Sequence, residues 1–282
     1  MKKILLITLI FICNLYALKI SSSNVKNANT VFLEIQKENI SDVKLTFDKQ
    51  NINFFKNPFK ENSYYALLPI SYYQKKKEYR VIVSYIENGK KVFKGKNLKV
   101  VDGKYKSEVI NVPKTKFKPK ASRVQRTKKE YSQAMKVYKS ISKEILWNED
   151  FIYPLNTKIT SNFGTKRVYN GKLKSYHSGT DFRAKNGTAI IASNAGIVKI
   201  SQNRFYSGGT IVIDHGHGVY SCYFHLSKMN YKVGESIKKG AVLGLSGDTG
   251  RVTGPHLHFS FRINGLQVDP LNAIEVLNKV RK

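Results

Sequence analysis

Ala189-Ile190-Ile191-Ala192, Gly196-Ile197-Val198-Lys199-Ile200, Thr210-Ile211-Val212-Ile213 and Ala241-Val242-Leu243-Gly244-Leu245 follow one another with glycine-bearing turns between them. Val219 to Phe224 falls inside this series and Leu257 to Ile263 closes it. Many short apolar runs at near-regular spacing predict an antiparallel β domain rather than helices. Glycine suits the turns because it accepts positive φ without strain.

Four of the six histidines lie in three clusters on or beside this series: His177-Ser178-Gly179-Thr180-Asp181, Tyr223-Phe224-His225-Leu226 and His256-Leu257-His258. A hydrolytic zinc site needs three protein ligands, an open fourth position and nearby groups that move protons or stabilise charge. Side chains alternate along a strand, so His256 and His258 share a face while Leu257 points into the core. The same alternation predicts Tyr223 and His225 on one face, with Cys222 and Phe224 on the other. Gly179 lets a turn bring His177 and Asp181 together. The assignment is His177, Asp181 and His258 as metal ligands, with His225 and His256 unligated beside the ion. His215 and His217, in Asp214-His215-Gly216-His217-Gly218, read as a tight turn instead.

From about Pro154 to Pro270 the chain resembles the LytM/lysostaphin-type zinc endopeptidases, which cut peptide bonds in peptidoglycan. The resemblance rests on Thr160-Ser161-Asn162-Phe163-Gly164, Arg167, the three clusters above, Gly208-Gly209-Thr210 through Gly216, Val233-Gly234-Glu235, Gly244-Leu245-Ser246-Gly247, Thr249-Gly250 and Thr253-Gly254-Pro255-His256-Leu257-His258-Phe259. It implies one zinc ion held by His177, Asp181 and His258, catalytic roles for His225 and His256, and a β-sandwich-like sheet with zinc in a groove. One of the two catalytic histidines acts as base and the other stabilises the oxyanion; the sequence leaves open which, with a lean to His256 as base. Tyr223 is a candidate second donor to substrate, and Arg167 a candidate for gripping a substrate carboxylate.

The chain is expected to be mainly β in four parts. Residues 1–17, with Met1-Lys2-Lys3, a short apolar stretch and Ala17, read as a signal peptide and imply secretion across the inner membrane into the periplasm. Residues 18–115 read as an N-terminal β-sandwich-like domain for positioning, partner contact or covering the groove. There Val43, Leu45 and Phe47 alternate with polar residues, Tyr79 to Ile86 is strand-like, and Glu87-Asn88-Gly89-Lys90 signals a hairpin. Residues 116–147 read as a basic linker and an amphipathic helix, capped by Ser122 with Gln125 and running to about Leu146 along Tyr131, Met135, Tyr138, Ile141 and Ile145. Residues 148–282 form the LytM-type peptidase domain. With Cys13 lost alongside the signal, Cys222 is the one cysteine of the mature chain, and reads as a buried strand residue.

Forty-nine basic and 19 acidic residues give a net charge of +30. Such a field attracts polyanions, yet the lysines are spread over every segment and no nucleic-acid motif appears. The partners expected are peptidoglycan peptide stems, with the anionic membrane surface or other cell-wall proteins, and not nucleic acid. The function expected is a peptidoglycan endopeptidase that cleaves cross-links between D-Ala and meso-diaminopimelate, with DD-carboxypeptidase action alongside, in wall remodelling and cell-shape control. The competing reading is a non-catalytic or autoinhibited regulator of another wall hydrolase.

Overall fold

A computed structural model describes residues 18–110, 121–169 and 173–282. The proposed signal peptide, residues 1–17, lies outside the described residues. Among these, no helix is long and apolar enough to cross a membrane.

The N-terminal region packs two sheets face to face. In one, Thr30–Gln36 pairs with Ser63–Pro69; in the other, Glu78–Glu87 lies between Ile40–Phe47 and Lys90–Val101. Val43, Leu45 and Phe47 turn inward between exposed Lys44 and Thr46, as period-two alternation demands. They meet Leu33, Ile35 and Leu68 from the facing sheet, and Val81 and Val83 from the neighbouring strand, in one core. Asn88 and Gly89 take φ of 48° and 72° and join Glu87 to Lys90 as a two-residue hairpin.

The C-terminal region is built on a ten-stranded, mostly continuous antiparallel sheet. Its centre is Val219–Met229 between Gly208–Asp214 and His256–Ile263. One face carries the main core, in which Leu257, Phe259, Phe261 and Tyr223 pack with Trp147, Phe151 and the helix Pro270–Leu277. Asp269 caps that helix by accepting from Leu271 N, and Pro270 occupies its first turn, where a missing N–H costs nothing. Phe32, Tyr65 and Leu67 of the N-terminal region belong to the same core, so the seam between the two regions is apolar. Ser107–Ile110, in the stretch read as N-terminal, pairs in parallel with Lys166–Tyr169, which pairs on its other side with antiparallel Leu173–Tyr176 as a hairpin.

The linker helix spans Ala121–Tyr138 and stops well short of Leu146. Ser122 lies inside it rather than at a cap. The apolar spacing does continue through Ile141 and Ile145, but the backbone there is claimed by the Asp214–Gly218 turn. Ser142 O accepts from His217 N, Leu146 N donates to His215 O, and Ser142 Oγ donates to Asp214. Tertiary hydrogen bonds thus override helical periodicity. Within the helix, Ala134 and Tyr138 are buried against Ile200, Val212, Tyr220 and Cys222, whereas Tyr131 is exposed.

Candidate metal centre

Thr180–Arg183 runs antiparallel to His256–Ile263 with Asp181 opposite His258. This register sets the carboxylate beside the imidazole on one face of the sheet, and the turn through Gly179 returns His177 to the same point. Gly179 is required there, because a Cβ would fall on the Phe259 carbonyl and 2.6 Å from His258 Nε2.

His177 Nε2, Asp181 Oδ1 and His258 Nδ1 converge. His177 Nε2 lies 3.0 Å from each of the other two, and His258 Nδ1 is 2.8 Å from Asp181 Oδ1. His177 Nδ1 is 2.9 Å from the Asn162 carbonyl, which can only accept, so Nδ1 carries the hydrogen and Nε2 presents a lone pair. A lone pair and a carboxylate oxygen thus face each other at hydrogen-bond distance, and one proton on His258 Nδ1 cannot satisfy both. A cation between them does. An ion bound tetrahedrally at about 2.0–2.1 Å spaces its ligand atoms about 3.3 Å apart, close to the triangle observed. Two imidazoles and one carboxylate, with a fourth direction open to the groove, are a donor set that fits zinc.

His225 and His256 flank this triangle, their rings 4.9 Å apart between centroids. His225 Nδ1 donates to Thr249 O and His256 Nδ1 to Gly254 O, both at 2.9 Å, so each ring keeps an Nε2 lone pair. Burial, partly offset by the Thr249 hydrogen bond, pulls the His225 pKa down to about 4. His256 Nε2 stands 3.8 Å from Asp181 Oδ1. The surrounding groove, ≈ 570 Å³, is also lined by Arg167, Phe224, Arg251 and Arg262.

Alternation fails at one strand, and Tyr223 is the casualty. His225 has φ of 63°, and the pairing slips between Gly209–Leu226 and Ile211–Tyr223, so one extra residue is accommodated there. Phe224 opposite His258 faces the groove, and His225 is turned to the same side, its N–H donating to Ser207 O. Tyr223 points the other way, into the core. Its hydroxyl accepts from Ser193 N at 2.8 Å and from Ser221 Oγ at 3.0 Å, so it does not reach substrate. Cys222 shares the groove face but is buried beneath Tyr138, and burial raises its thiol to about 11.

Arg167 stands on the groove wall with its Nε buried and unbonded. His215 and His217 are remote from the triangle. His215 is enclosed, bonding Ala195 O and Ser221 Oγ, while His217 meets the N-terminal region. Two contributors escaped the sequence reading. Tyr138 of the linker helix walls the groove beneath the Arg262 guanidinium, 4.2 Å from its ring centroid. Glu130 of the same helix accepts from Phe205 N, bracing the turn whose Ser207 carbonyl holds His225. Neither carried a motif; the helical spacing of Tyr138 was the only signal.

Residues 175–270 match peptidase family M23. Over 124 residues the chain is 41% identical to the peptidoglycan DD-endopeptidase ShyA of Vibrio cholerae, covering 43% of this chain and 29% of that protein. It is 37% identical over 119 residues to the DD-carboxypeptidase/endopeptidase Mpg of Neisseria meningitidis, covering 41% and 27%. The chain therefore spans less than a third of the length of these relatives. A Pseudomonas aeruginosa structure assigned to peptidase M23 matches 87% of this chain and 93% of its own, with a TM-score of 0.65 and 23% identity, a likeness of fold that reaches into the N-terminal region. With His177, Asp181, His225, His256 and His258 all inside the matched stretch, this chain carries a LytM-type peptidase domain of family M23.

Proposed function

We propose that the protein is a zinc-dependent endopeptidase that hydrolyses peptide cross-links of peptidoglycan outside the inner membrane. The carrying observation is the triangle of donor atoms on the floor of an open groove, flanked by two histidines whose Nδ1 atoms are tied to backbone carbonyls. Zinc held by His177, Asp181 and His258 would lower the pKa of water and polarise the scissile carbonyl. The chain's own residues do the rest. His256 offers an Nε2 lone pair to the proton that leaves the attacking water, because its Nδ1–H is committed to Gly254 O. His225, on the opposite flank, presents the same tautomer. With its pKa drawn down to about 4 it stands as a second neutral imidazole beside the position of the reacting carbonyl. Arg167, on the groove wall, is placed to grip a substrate carboxylate.

The similarity to enzymes named for DD-endopeptidase and DD-carboxypeptidase action supports a DD peptide bond of peptidoglycan as the target; within that class the reading proposed is the cross-link between D-Ala and meso-diaminopimelate, cut in wall remodelling and cell-shape control. The net charge of +30 favours retention at anionic wall polymer or membrane surface. Digesting purified peptidoglycan with and without a chelator, and reading the products by mass, tests the reading. Conversion of cross-linked dimers to monomers that stops on chelation is expected; conversion that ignores the chelator, or none from zinc-loaded protein, would overturn it.

A further inference from the structure

A second cavity, ≈ 420 Å³, shares Arg167 with the metal groove, and both regions of the chain build it. Tyr72, Tyr73, Lys76, Asp102 and Tyr105 come from the N-terminal region, Lys166 and Arg167 from the hairpin beside the groove. Two of its three tyrosines, Tyr72 and Tyr105, already have their hydroxyls bonded to backbone carbonyls. Tyr72 stacks on Tyr176 at 3.8 Å and 5°, and its hydroxyl donates to Gly164 O. The Tyr105 hydroxyl donates to Asn27 O, and Asn27 Nδ2 donates in turn to Tyr72 O.

The cations are in the opposite condition. Lys76, Lys166 and Arg167 line the cavity with a single carboxylate, Asp102, which is 3.9 Å from Lys76 and already accepts from Lys104 N, while Glu108, opposite Arg167 on the neighbouring strand, lines the metal groove and not this cavity. Arg167 has no hydrogen-bond or ion-pair partner among the described residues, and its Nε is shielded from water. A guanidinium and an ammonium beside aromatic walls make a site for a carboxylate, since paired charges strengthen as water is excluded.

We propose that this cavity is a second subsite, which takes a free carboxylate of the peptide stem at a distance from the scissile bond. The inference rests on the peptidoglycan reading above and adds to it that the N-terminal region helps to bind substrate. Arg167, shared by the two cavities, joins the subsite to the groove.

The test is equilibrium binding to the zinc-loaded full chain, carrying His225→Ala to stop turnover. The probes are a muropeptide with free stem carboxylates and the same muropeptide amidated. The free form is expected to bind about tenfold more tightly, with the preference shrinking as salt rises, and the pair Lys166→Gln and Arg167→Gln to bind both forms alike. Equal binding of both forms by the starting protein, or a preference that survives the paired substitutions, would overturn the subsite. Lys76→Gln, on a half-exposed side chain, supplies a second variant should the pair fail to fold: part of the preference must go with it. Hydrolysis of the same two muropeptides by the unsubstituted protein separates the two readings. Absent hydrolysis sinks the peptidase and leaves the binding preference to be judged; hydrolysis without a preference sinks the subsite alone.

Discussion

The hydroxyl of Tyr65 donates to His217 Nδ1 at 2.6 Å across the seam between the two β regions. His217 Nε2–H donates in turn to Lys143 O at 2.9 Å, and Phe55 lies flat on the imidazole at 3.9 Å, so the neutral ring is fixed on three sides.

That geometry predicts acid sensitivity. Burial lowers the pKa of His217, and lowers that of His215 to about 4, against backbone hydrogen bonds that oppose the shift. Between the ordinary histidine value of about 6.5 and the folded value, the unfolded chain binds protons that the folded chain refuses, so stability rises with pH across that window. It is present in full above about pH 6.5 and is lost as pH falls toward about 4, with His215 contributing about 3 kcal/mol at 1.36 kcal/mol per unit. Urea unfolding of chelated protein at pH 7.5, 5.5 and 4.5 checks this. A midpoint that does not fall with acid would contradict it.

Gly179→Ala should dismantle the metal centre while sparing the fold. The new methyl must displace His258 or the Phe259 carbonyl, and an error in ligand placement is expected to cost about 10–100-fold in zinc affinity. Zinc content after dialysis against a weak chelator, beside an unchanged circular dichroism spectrum, is the measurement.

The four site histidines should divide into two classes. His177→Ala and His258→Ala lose zinc and hydrolysis together. His225→Ala and His256→Ala keep one zinc per chain and lose about 10²–10⁴ in rate. Normal hydrolysis by His256→Ala would remove it from the base role.

Tyr223→Phe should act on stability and not on substrate. It strips the acceptor from Ser193 N and Ser221 Oγ in the core, at about 1–3 kcal/mol for groups left unpaired. A lower thermal midpoint with unchanged KM and kcat is expected; a raised KM would restore Tyr223 to the groove.

The convergence of His177, Asp181 and His258 was legible because it needs only local rules: alternation along His256-Leu257-His258, and a turn at Gly179. Tyr223 was misplaced because the same alternation was carried through His225, whose positive φ reverses it. Nothing in the composition of Tyr223-Phe224-His225-Leu226 announces that reversal; it arises where the strand exchanges His256–Ile263 for Val242–Ser246 as its neighbour. The helix end was missed for a related reason. Ile141 and Ile145 keep the helical period, but a turn some 70 residues away takes the backbone of Ser142, Lys143 and Leu146 beside them. Asn162, Thr249 and Gly254 hold three imidazoles through carbonyl oxygens, which every residue type possesses and no side-chain pattern reveals.

The apolar seam also governs the order in which the chain assembles. Thr30 N donates to Asn272 Oδ1 and Asn57 Nδ2 to Val280 O, pairs separated by 242 and 223 residues. Contacts of such sequence separation close only after the intervening loop entropy has been overcome, which makes them late and slow. The second cavity, walled from both sides of that seam, is therefore among the last features to form, and a chain whose halves have each folded but not yet docked would hold the His177, Asp181 and His258 triangle in place before that cavity existed.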